Sequence, residues 1–177
     1  IKKEATKADF ASRIKKEAVR MTGLINDILM ISRLEAKEAE VTFSDVRVSG
    51  LLEEIIDSLK PQAAEAQVFV HVDCQPLMIH ANLQQMRELL TNLISNAIKY
   101  NRPWGQLWIN IRETDGQMVI RVKHNGVGIR SDSLVRIVER FYRVAKGRSR
   151  KQVGTGLGLS IANCIVYCTN GTLSFSL

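Results

Sequence analysis

Long apolar runs are missing from this chain of 177 residues. A membrane-spanning helix needs about 18 or more consecutive apolar residues, so we expect no bilayer crossing within the chain. The opening residues Ile1-Lys2-Lys3-Glu4 contain neither an initiator Met nor the apolar core of a signal peptide. These absences predict a cytoplasmic fragment of a longer protein, whose targeting signals lie outside it.

Cysteine is also scarce. The chain has only Cys74, Cys164 and Cys168, an odd number with no pair at the spacing of a Cys-x-x-Cys metal motif. We therefore expect buried, inert thiols in a reducing compartment, and no structural zinc.

Acidic residues are outnumbered by basic ones, 18 to 25, which gives a formal net charge of +7. This excess allows nucleic acid, anionic lipid or a phosphorylated small molecule as the partner. Much of it lies in one basic segment, residues 140–151. Its cationic residues are Arg140, Arg143, Lys146, Arg148, Arg150 and Lys151. Taken alone, such a segment is most simply a solvated loop.

Residues 1–35 show the apolar periodicity of one long helix. Positions spaced alternately three and four apart form a heptad seam, which we call the α1 seam. It consists of Ala11, Ile14, Ala18, Met21, Ile25, Ile28, Ser32 and Glu35. Such a coiled-coil-like helix needs partner helices, in a second copy or in a segment outside the chain. The alternative is that the helix packs on its own globular domain.

A change of pattern near residues 36–40 predicts a domain boundary, with a helical domain at 1–38 and a globular domain at 41–177. In the second domain, Ser49 is expected to cap a helix, and residues 82–100 form an amphipathic helix. Strands are predicted at 68–72, 106–112, 117–123 and 172–177, with a hairpin at Asp115-Gly116. A short helix begins at Ser131, and a last helix follows residues 154–158 and ends near Cys168 at Asn170-Gly171. The order of elements predicts an α+β fold with a mixed sheet and helices on one face.

The polar face of helix 82–100 is unusual because it carries Asn92 and Asn96 one turn apart, followed by Lys99 and Tyr100. Amide oxygens suit a hard cation such as Mg²⁺, and an ammonium group can meet a phosphate. An aromatic ring beside them can stack on a base. On its own this spacing is weak evidence.

Two glycine segments complete the pattern. The first glycine loop, residues 124–129, has the sequence His-Asn-Gly-Val-Gly-Ile after a strand, where glycines allow a flat ligand to come close. The second glycine loop, residues 154–159, has the sequence Gly-Thr-Gly-Leu-Gly-Leu and opens a helix, whose free amides favour anions. Neither loop is a Walker loop or a Rossmann fingerprint.

In this order the segments resemble the ATP-binding domain of sensor histidine kinases, in the wider family of gyrase, mismatch-repair and heat-shock chaperone ATPases. Residues 90–100 look like the family's N box, residues 137–143 like its F box, and the two loops like its glycine boxes. Residues 20–35 are similar to the second helix of the family's dimerisation-and-phosphotransfer hairpin. The resemblance implies a two-layer α/β sandwich and covers nearly the whole chain.

The resemblance also implies ATP and Mg²⁺ as cofactors. Asn96 would ligate Mg²⁺, Asn92 would support the phosphates, and the basic segment would form a mobile lid. The implied nucleotide-binding residues are Asn92, Asn96, Lys99, Tyr100, His124, Gly126, Gly128, Ile129, Tyr142, Arg143, Arg148, Gly154, Thr155, Gly156, Leu157, Gly158 and Leu159. The implied partners are a second copy of the chain and a response-regulator receiver domain, with no nucleic acid. The full-length protein would be a membrane receptor.

Three features depart from the family pattern. None of His71, His80 and His124 lies in the phosphoacceptor context, so the acceptor helix should precede residue 1 and this fragment should not phosphorylate itself. His124 stands where the family has an Asp that accepts from the adenine amino group, which predicts weak nucleotide affinity that falls further below about pH 6.5. The chain also ends before the family's closing strand.

Asn92 indicates the type of chemistry, because ATPase branches of the family have a water-activating Glu at that position. An amide cannot act as a general base, which favours phosphoryl transfer over hydrolysis. Three other functions remain open: a nucleotide-binding regulatory module without kinase activity, a dimerising helix on an inert domain, and a nucleic-acid binder with steep salt dependence.

Overall fold

The computed structural model of the chain describes residues 2–36, 42–143 and 155–176. Its helices and strands confirm the α+β class predicted from the sequence. In chain order they are α1 (Lys2–Ala36), β1 (Ser44–Arg47), α2 (Val48–Glu65), β2 (Phe69–Cys74), β3 (Met78–Ala81), α3 (Leu83–Lys99), β4 (Gln106–Thr114), β5 (Gln117–His124), α4 (Ser131–Leu134) and α5 (Gly158–Cys168).

The main sheet is mixed, as expected. Its strand order is β2-β4-β5, with β2 parallel to β4 and β4 antiparallel to β5. Asp115 and Gly116 both have positive φ angles, +52° and +73°, which is the backbone of a two-residue type I′ hairpin turn. The hairpin predicted at Asp115-Gly116 is therefore confirmed.

A second, two-stranded sheet pairs β1 with β3 in antiparallel register. The sequence did not predict β3, whose four residues are too few to establish a clear alternation. The expected cap of α2 at Ser49 is also wrong, because α2 already begins at Val48. The Val48 amide donates to the Leu77 carbonyl at 3.0 Å, so the loop before β3 satisfies a helix donor that would otherwise need a capping side chain.

The core lies between the main sheet and the helices. On β4, Leu107, Ile109 and Ile111 are buried, whereas Trp108 between them is exposed on the other face of the sheet. Helices α2 and α3 pack on the sheet, and α5 packs on α3. The helices thus form one layer and the sheet the other, which places the polar side of α3 next to α5.

The end of α1 packs against this globular part. Ile31 and Leu34 are buried in the common core, and Leu24 packs against it. Asp27 lies on the same face and accepts a hydrogen bond from the Thr155 hydroxyl at 3.3 Å. Leu24 and Ile31 lie outside the α1 seam and face the globular domain.

Most of the α1 seam is exposed in the single chain. Ile14, Met21, Ile25 and Ile28 point away from the globular domain, and each is about half exposed. The helix therefore has two apolar faces, one packed on its own domain and one open along the seam. No helix in the described ranges is long and apolar enough to span a membrane.

The C-terminal region confirms one expectation and corrects two. Helix α5 ends at Cys168, as expected, and Asn170 just beyond it has a φ of +54°, while the Gly171 amide donates to the Val166 carbonyl at 2.8 Å. The strand expected at 172–177 is wrong for the described residues 172–176, which pair with no other strand, although Leu173 packs against the core. All three cysteines are free thiols, but none is fully buried as expected: Cys74 and Cys164 are half-buried, and Cys168 on the last turn of α5 is exposed.

Candidate functional site

Helix α3 carries the first group of candidate residues. Its N-cap, Asn82, accepts a hydrogen bond from the Gln85 amide at 2.8 Å, which starts the helix at Leu83. Leu90 and Ile94 are buried on one side of α3. The opposite side presents the candidate residues Asn92, Asn96 and Lys99, all half-buried.

The start of α5 lies directly against the two asparagines. A Cβ atom built on Gly158 would be 2.7 Å from Asn92 Oδ1 and 3.2 Å from Asn96 Nδ2. The residue that caps α5, Leu157, is fully buried and anchors this contact. Three of the predicted residues, which lie far apart in sequence, are therefore in contact where the first turn of α5 begins. Leu159 follows on that turn and is half-buried.

The second glycine loop is joined to the end of the F-box segment. Gly156 has a φ of +75°, and its carbonyl accepts from the Phe141 amide at 3.0 Å. A Cβ atom on Gly156 would lie 3.0 Å from the Phe141 Cα, so this position requires glycine both for its backbone angle and for space. Phe141 itself is exposed.

Two candidate side chains of this region are engaged elsewhere. The Tyr142 hydroxyl donates to Ser133 Oγ at 3.2 Å, and the Arg136 guanidinium lies 4.3 Å from the centre of its ring. Thr155 donates to Asp27 and accepts from the Leu157 amide at 3.2 Å. Tyr142 therefore contacts α4, and Thr155 contacts α1.

Two basic side chains, Lys99 and Arg143, lie close enough to interact near the end of α3. Burial lowers the pKa of Lys99, and the nearby charge of Arg143 lowers it further. The Lys99 ammonium also lies 5.2 Å from the centre of the Tyr100 ring. Two cations close enough to repel each other provide a favourable place for an anion. Arg148 and Gly154, which the sequence also predicted, lie outside the described residues.

The first glycine loop also lies beside the end of α3. The Val127 amide donates to the Tyr100 carbonyl at 3.0 Å. A Cβ atom on Gly126 would overlap that carbonyl oxygen and the Asn101 Cα, so the close approach is to the protein's own backbone. Gly128 has open space beside it, and Ile129 is half-buried.

His124 ends β5 on the inner face of the sheet, opposite the buried Leu107. Its Nδ1 accepts a hydrogen bond from the Gly126 amide at 3.3 Å. Burial lowers the pKa of His124, which favours the neutral ring. With Nδ1 accepting, Nε2 carries the proton and offers a donor rather than an acceptor. The loss of nucleotide affinity that we expect when His124 is protonated should therefore occur at a pH below 6.5.

Sequence reasoning missed two acidic residues at this site. Glu88 Oε1 accepts from Asn92 Nδ2 at 3.0 Å, across one turn of α3. Burial raises the pKa of Glu88, the hydrogen bond from Asn92 lowers it, and the charge of Asp27 raises it. Burial also raises the pKa of Asp27. The four-residue spacing between Glu88 and Asn92 on α3 could have indicated the role of Glu88, but no local pattern points to Asp27.

Comparison with known proteins gives a consistent result. The family described as histidine kinase-, DNA gyrase B-, and HSP90-like ATPase matches residues 81–176, more than half of the chain. The sensor protein kinase WalK of Staphylococcus saprophyticus is 32% identical over 93% of this chain and 27% of its own length. The sensor histidine kinase RppB of Synechocystis is 35% identical over 91% of this chain and 36% of its own length.

Solved structures show the same fold. Full-length ShkA in complex with AMPPNP superposes with a TM-score of 0.73 at 27% identity, over 85% of this chain and 31% of that chain. The histidine kinase AdeS of Acinetobacter baumannii superposes with a TM-score of 0.71 at 18% identity, over 85% of this chain and 68% of that chain. The chain thus spans about a third or less of the length of the curated relatives described above.

Proposed function

The chain belongs to the histidine kinase-, DNA gyrase B-, and HSP90-like ATPase family, and we propose that it is the ATP-binding catalytic part of a two-component sensor histidine kinase. ATP binds between α3 and α5, with its phosphates at the start of α5 and its base near the first glycine loop. The observation that carries this proposal is the contact of Gly158 with Asn92 and Asn96.

The phosphate end of the cleft has the groups that a triphosphate needs. Lys99 and Arg143 supply positive charge, and the amides at the start of α5 supply donors and the positive end of a helix dipole. Residues Tyr100, His124, Gly126, Gly128 and Ile129 surround the base. Tyr142, Arg148, Gly154, Thr155, Gly156, Leu157 and Leu159 complete the nucleotide-binding set.

The same place fits a magnesium ion. Hard cations prefer oxygen ligands, and Asn92 Oδ1 already faces the start of α5. Asn96 would hold the ion, after its amide turns so that Oδ1 rather than Nδ2 faces the cleft. A bound Mg²⁺ neutralises negative charge on the phosphates.

The chemistry that we propose is transfer to a protein nucleophile. In the full-length protein, a neutral imidazole nitrogen attacks the γ-phosphorus, the bond to the β,γ-bridging oxygen breaks, and ADP leaves. The phosphoryl group then passes to an Asp of a response regulator. The neutral amide of Asn92 supports this over hydrolysis, because it cannot take a proton from water.

The chain divides, on this proposal, into residues 1–38, the second helix of a dimerisation-and-phosphotransfer hairpin, and residues 41–177, the catalytic domain. The exposed α1 seam supports pairing with a second copy, because its apolar side chains have no partner within the described chain. The acceptor His lies on a helix upstream of residue 1. The fragment works in the cytoplasm, and the full-length protein sits in the cell membrane.

A two-step experiment tests the proposal. First, a non-hydrolysable ATP analogue is titrated with Mg²⁺ into the chain in a calorimeter. Second, a separately produced helical hairpin that carries the acceptor His is added with labelled ATP. We expect saturable binding, label on the hairpin, and no stable label on the chain alone. Absence of binding, or label at His71 or His80, would contradict the proposal.

A regulatory module that binds nucleotide without transferring phosphate is the second candidate. It is favoured by His124, which presents a proton donor where an adenine amino group needs an acceptor. Binding of the analogue without any transfer to the hairpin would support this candidate. Absence of both binding and transfer would leave a dimerising structural fragment.

A further inference from the structure

The side chain of Asn92 has two different ends, an oxygen that accepts hydrogen bonds and an NH₂ group that donates them. Its Nδ2 donates to Glu88 Oε1 at 3.0 Å. Both side chains are half-buried on α3. Because Nδ2 is held by Glu88, Oδ1 is the atom that faces the start of α5.

We infer that Glu88 is a positioning residue, which keeps the oxygen of Asn92 rather than its nitrogen turned toward the cation side of the nucleotide site. This inference rests on the proposed function, because the Asn92 oxygen has this role only if a nucleotide and its cation bind beside it. An ionised carboxylate can only accept hydrogen bonds, so it selects the NH₂ end of the amide and leaves the oxygen free for the cleft.

The reverse orientation would place Nδ2 at the start of α5. Two N–H donors would then face the positive end of the α5 dipole and any cation bound to the phosphates, and both contacts are unfavourable. The residue at position 88 therefore decides whether Asn92 helps or hinders a cation. Removing a group that orients a metal ligand through a hydrogen bond typically lowers metal affinity about 10- to 100-fold.

The chain offers a matched set of variants. Glu88→Ala removes the acceptor, and alanine suits a helix interior. Glu88→Gln keeps an acceptor but adds an NH₂ group, so it holds either orientation of Asn92 without a charge. Gln84→Ala lies one turn before Glu88 on the same helix, is exposed, and serves as the control.

The affinity of each variant for a non-hydrolysable ATP analogue is measured twice, with Mg²⁺ and with excess chelator. For Glu88→Ala we expect about a 10-fold loss of affinity with Mg²⁺ and less than about a twofold change without it. Glu88→Gln should lose about as much, because its side chain no longer selects one orientation of Asn92, and Gln84→Ala should match the wild type. An unchanged Mg²⁺-dependent affinity in Glu88→Ala would overturn the inference. An unchanged Mg²⁺-dependent affinity in Glu88→Gln would also overturn it, because selection of one orientation would then not be needed.

A second measurement needs no ligand. In nitrogen-15 NMR spectra, the Asn92 side-chain protons of the wild type should exchange slowly with water, and this protection should disappear in Glu88→Ala but not in Gln84→Ala. Equal exchange rates in all three proteins would contradict the inference. If the wild type binds no nucleotide at all, the proposed function fails instead, and the NMR result still tests the hydrogen bond.

Discussion

On the proposed function, glycines lie at both the base end and the phosphate end of the nucleotide site beside α3, but for different reasons. At the base end, Gly126 lies against main-chain atoms of Tyr100 and Asn101, which cannot move without breaking the end of α3. At the phosphate end, Gly158 lies against the tips of two asparagine side chains, which can turn. The first glycine is thus required by contact with main-chain atoms, whereas the second is in contact only with the ends of side chains.

The largest effect should come from Gly126→Ala. The added methyl group overlaps the Tyr100 carbonyl oxygen, so we expect the free energy of unfolding to fall by about 3 kcal/mol. Chemical denaturation measures this directly. Gly128→Ala is the matched control, because nothing lies near its Cβ position, and its change should stay within about 0.5 kcal/mol. Equal free energies of unfolding for Gly126→Ala and Gly128→Ala would contradict the requirement for glycine at position 126.

Gly158→Ala should give the opposite result. The methyl group pushes the Asn92 and Asn96 amides out of place, and we expect nucleotide affinity to fall roughly 100-fold, about 2.7 kcal/mol. The free energy of unfolding should change by less than about 1 kcal/mol, because alanine is a good helix former and only flexible side-chain ends must shift. Calorimetric titration and denaturation of the same sample check both parts. A Gly158→Ala protein with a clearly lower free energy of unfolding but normal nucleotide affinity would contradict this prediction.

His124→Asp tests whether the side chain at position 124 contacts the base of the nucleotide. The carboxylate accepts hydrogen bonds where the neutral ring, with Nδ1 engaged, offers a donor. We expect an ATP analogue to bind about 10-fold more tightly, a gain of about 1.4 kcal/mol. A GTP analogue lacks the amino group at this position of the base and should gain nothing. If both analogues gain equally, His124 does not contact the base in the proposed way.

The smallest effect is the pH dependence of stability that His124 causes. Burial lowers its pKa in the folded state, so the unfolded chain takes up the proton first as the pH falls. Stability should therefore decrease as the pH drops below about 6.5 and level off below the folded-state pKa, with no contribution at higher pH. Urea titrations from pH 7.5 to 5 should show this decrease in the wild type and a weaker one in His124→Gln. Identical slopes would show that His124 is not the titrating group.

Local structure followed from local sequence with few errors. The Asp115-Gly116 turn and the stop after α5 at Asn170-Gly171 involve residues that adopt positive φ angles readily, so a short segment suffices to predict them. The cap expected at Ser49 failed because a backbone partner, the Leu77 carbonyl, satisfies the Val48 amide at the start of α2. The last strand failed because strand pairing depends on a partner that the local sequence does not specify.

The candidate site was predictable only in part. The order of the motifs indicated which residues belong together, and the structure brings Asn92, Asn96 and Gly158 into contact. The hydrogen bond between Asp27 and Thr155 joins residues 128 positions apart, so no local pattern could reveal it. The same holds for Tyr142, whose hydroxyl is drawn toward Ser133 by packing rather than by any motif.

The most direct test of the central claim is a nitrogen-15 NMR titration of the chain with Mg²⁺ and a non-hydrolysable ATP analogue. The main-chain signal of Gly158 and the side-chain signals of Asn92 and Asn96 should shift together with that of Val127, and all should fit one dissociation constant. Binding that leaves Gly158 and both asparagines unshifted, or no binding at all, would contradict a nucleotide site between α3 and α5.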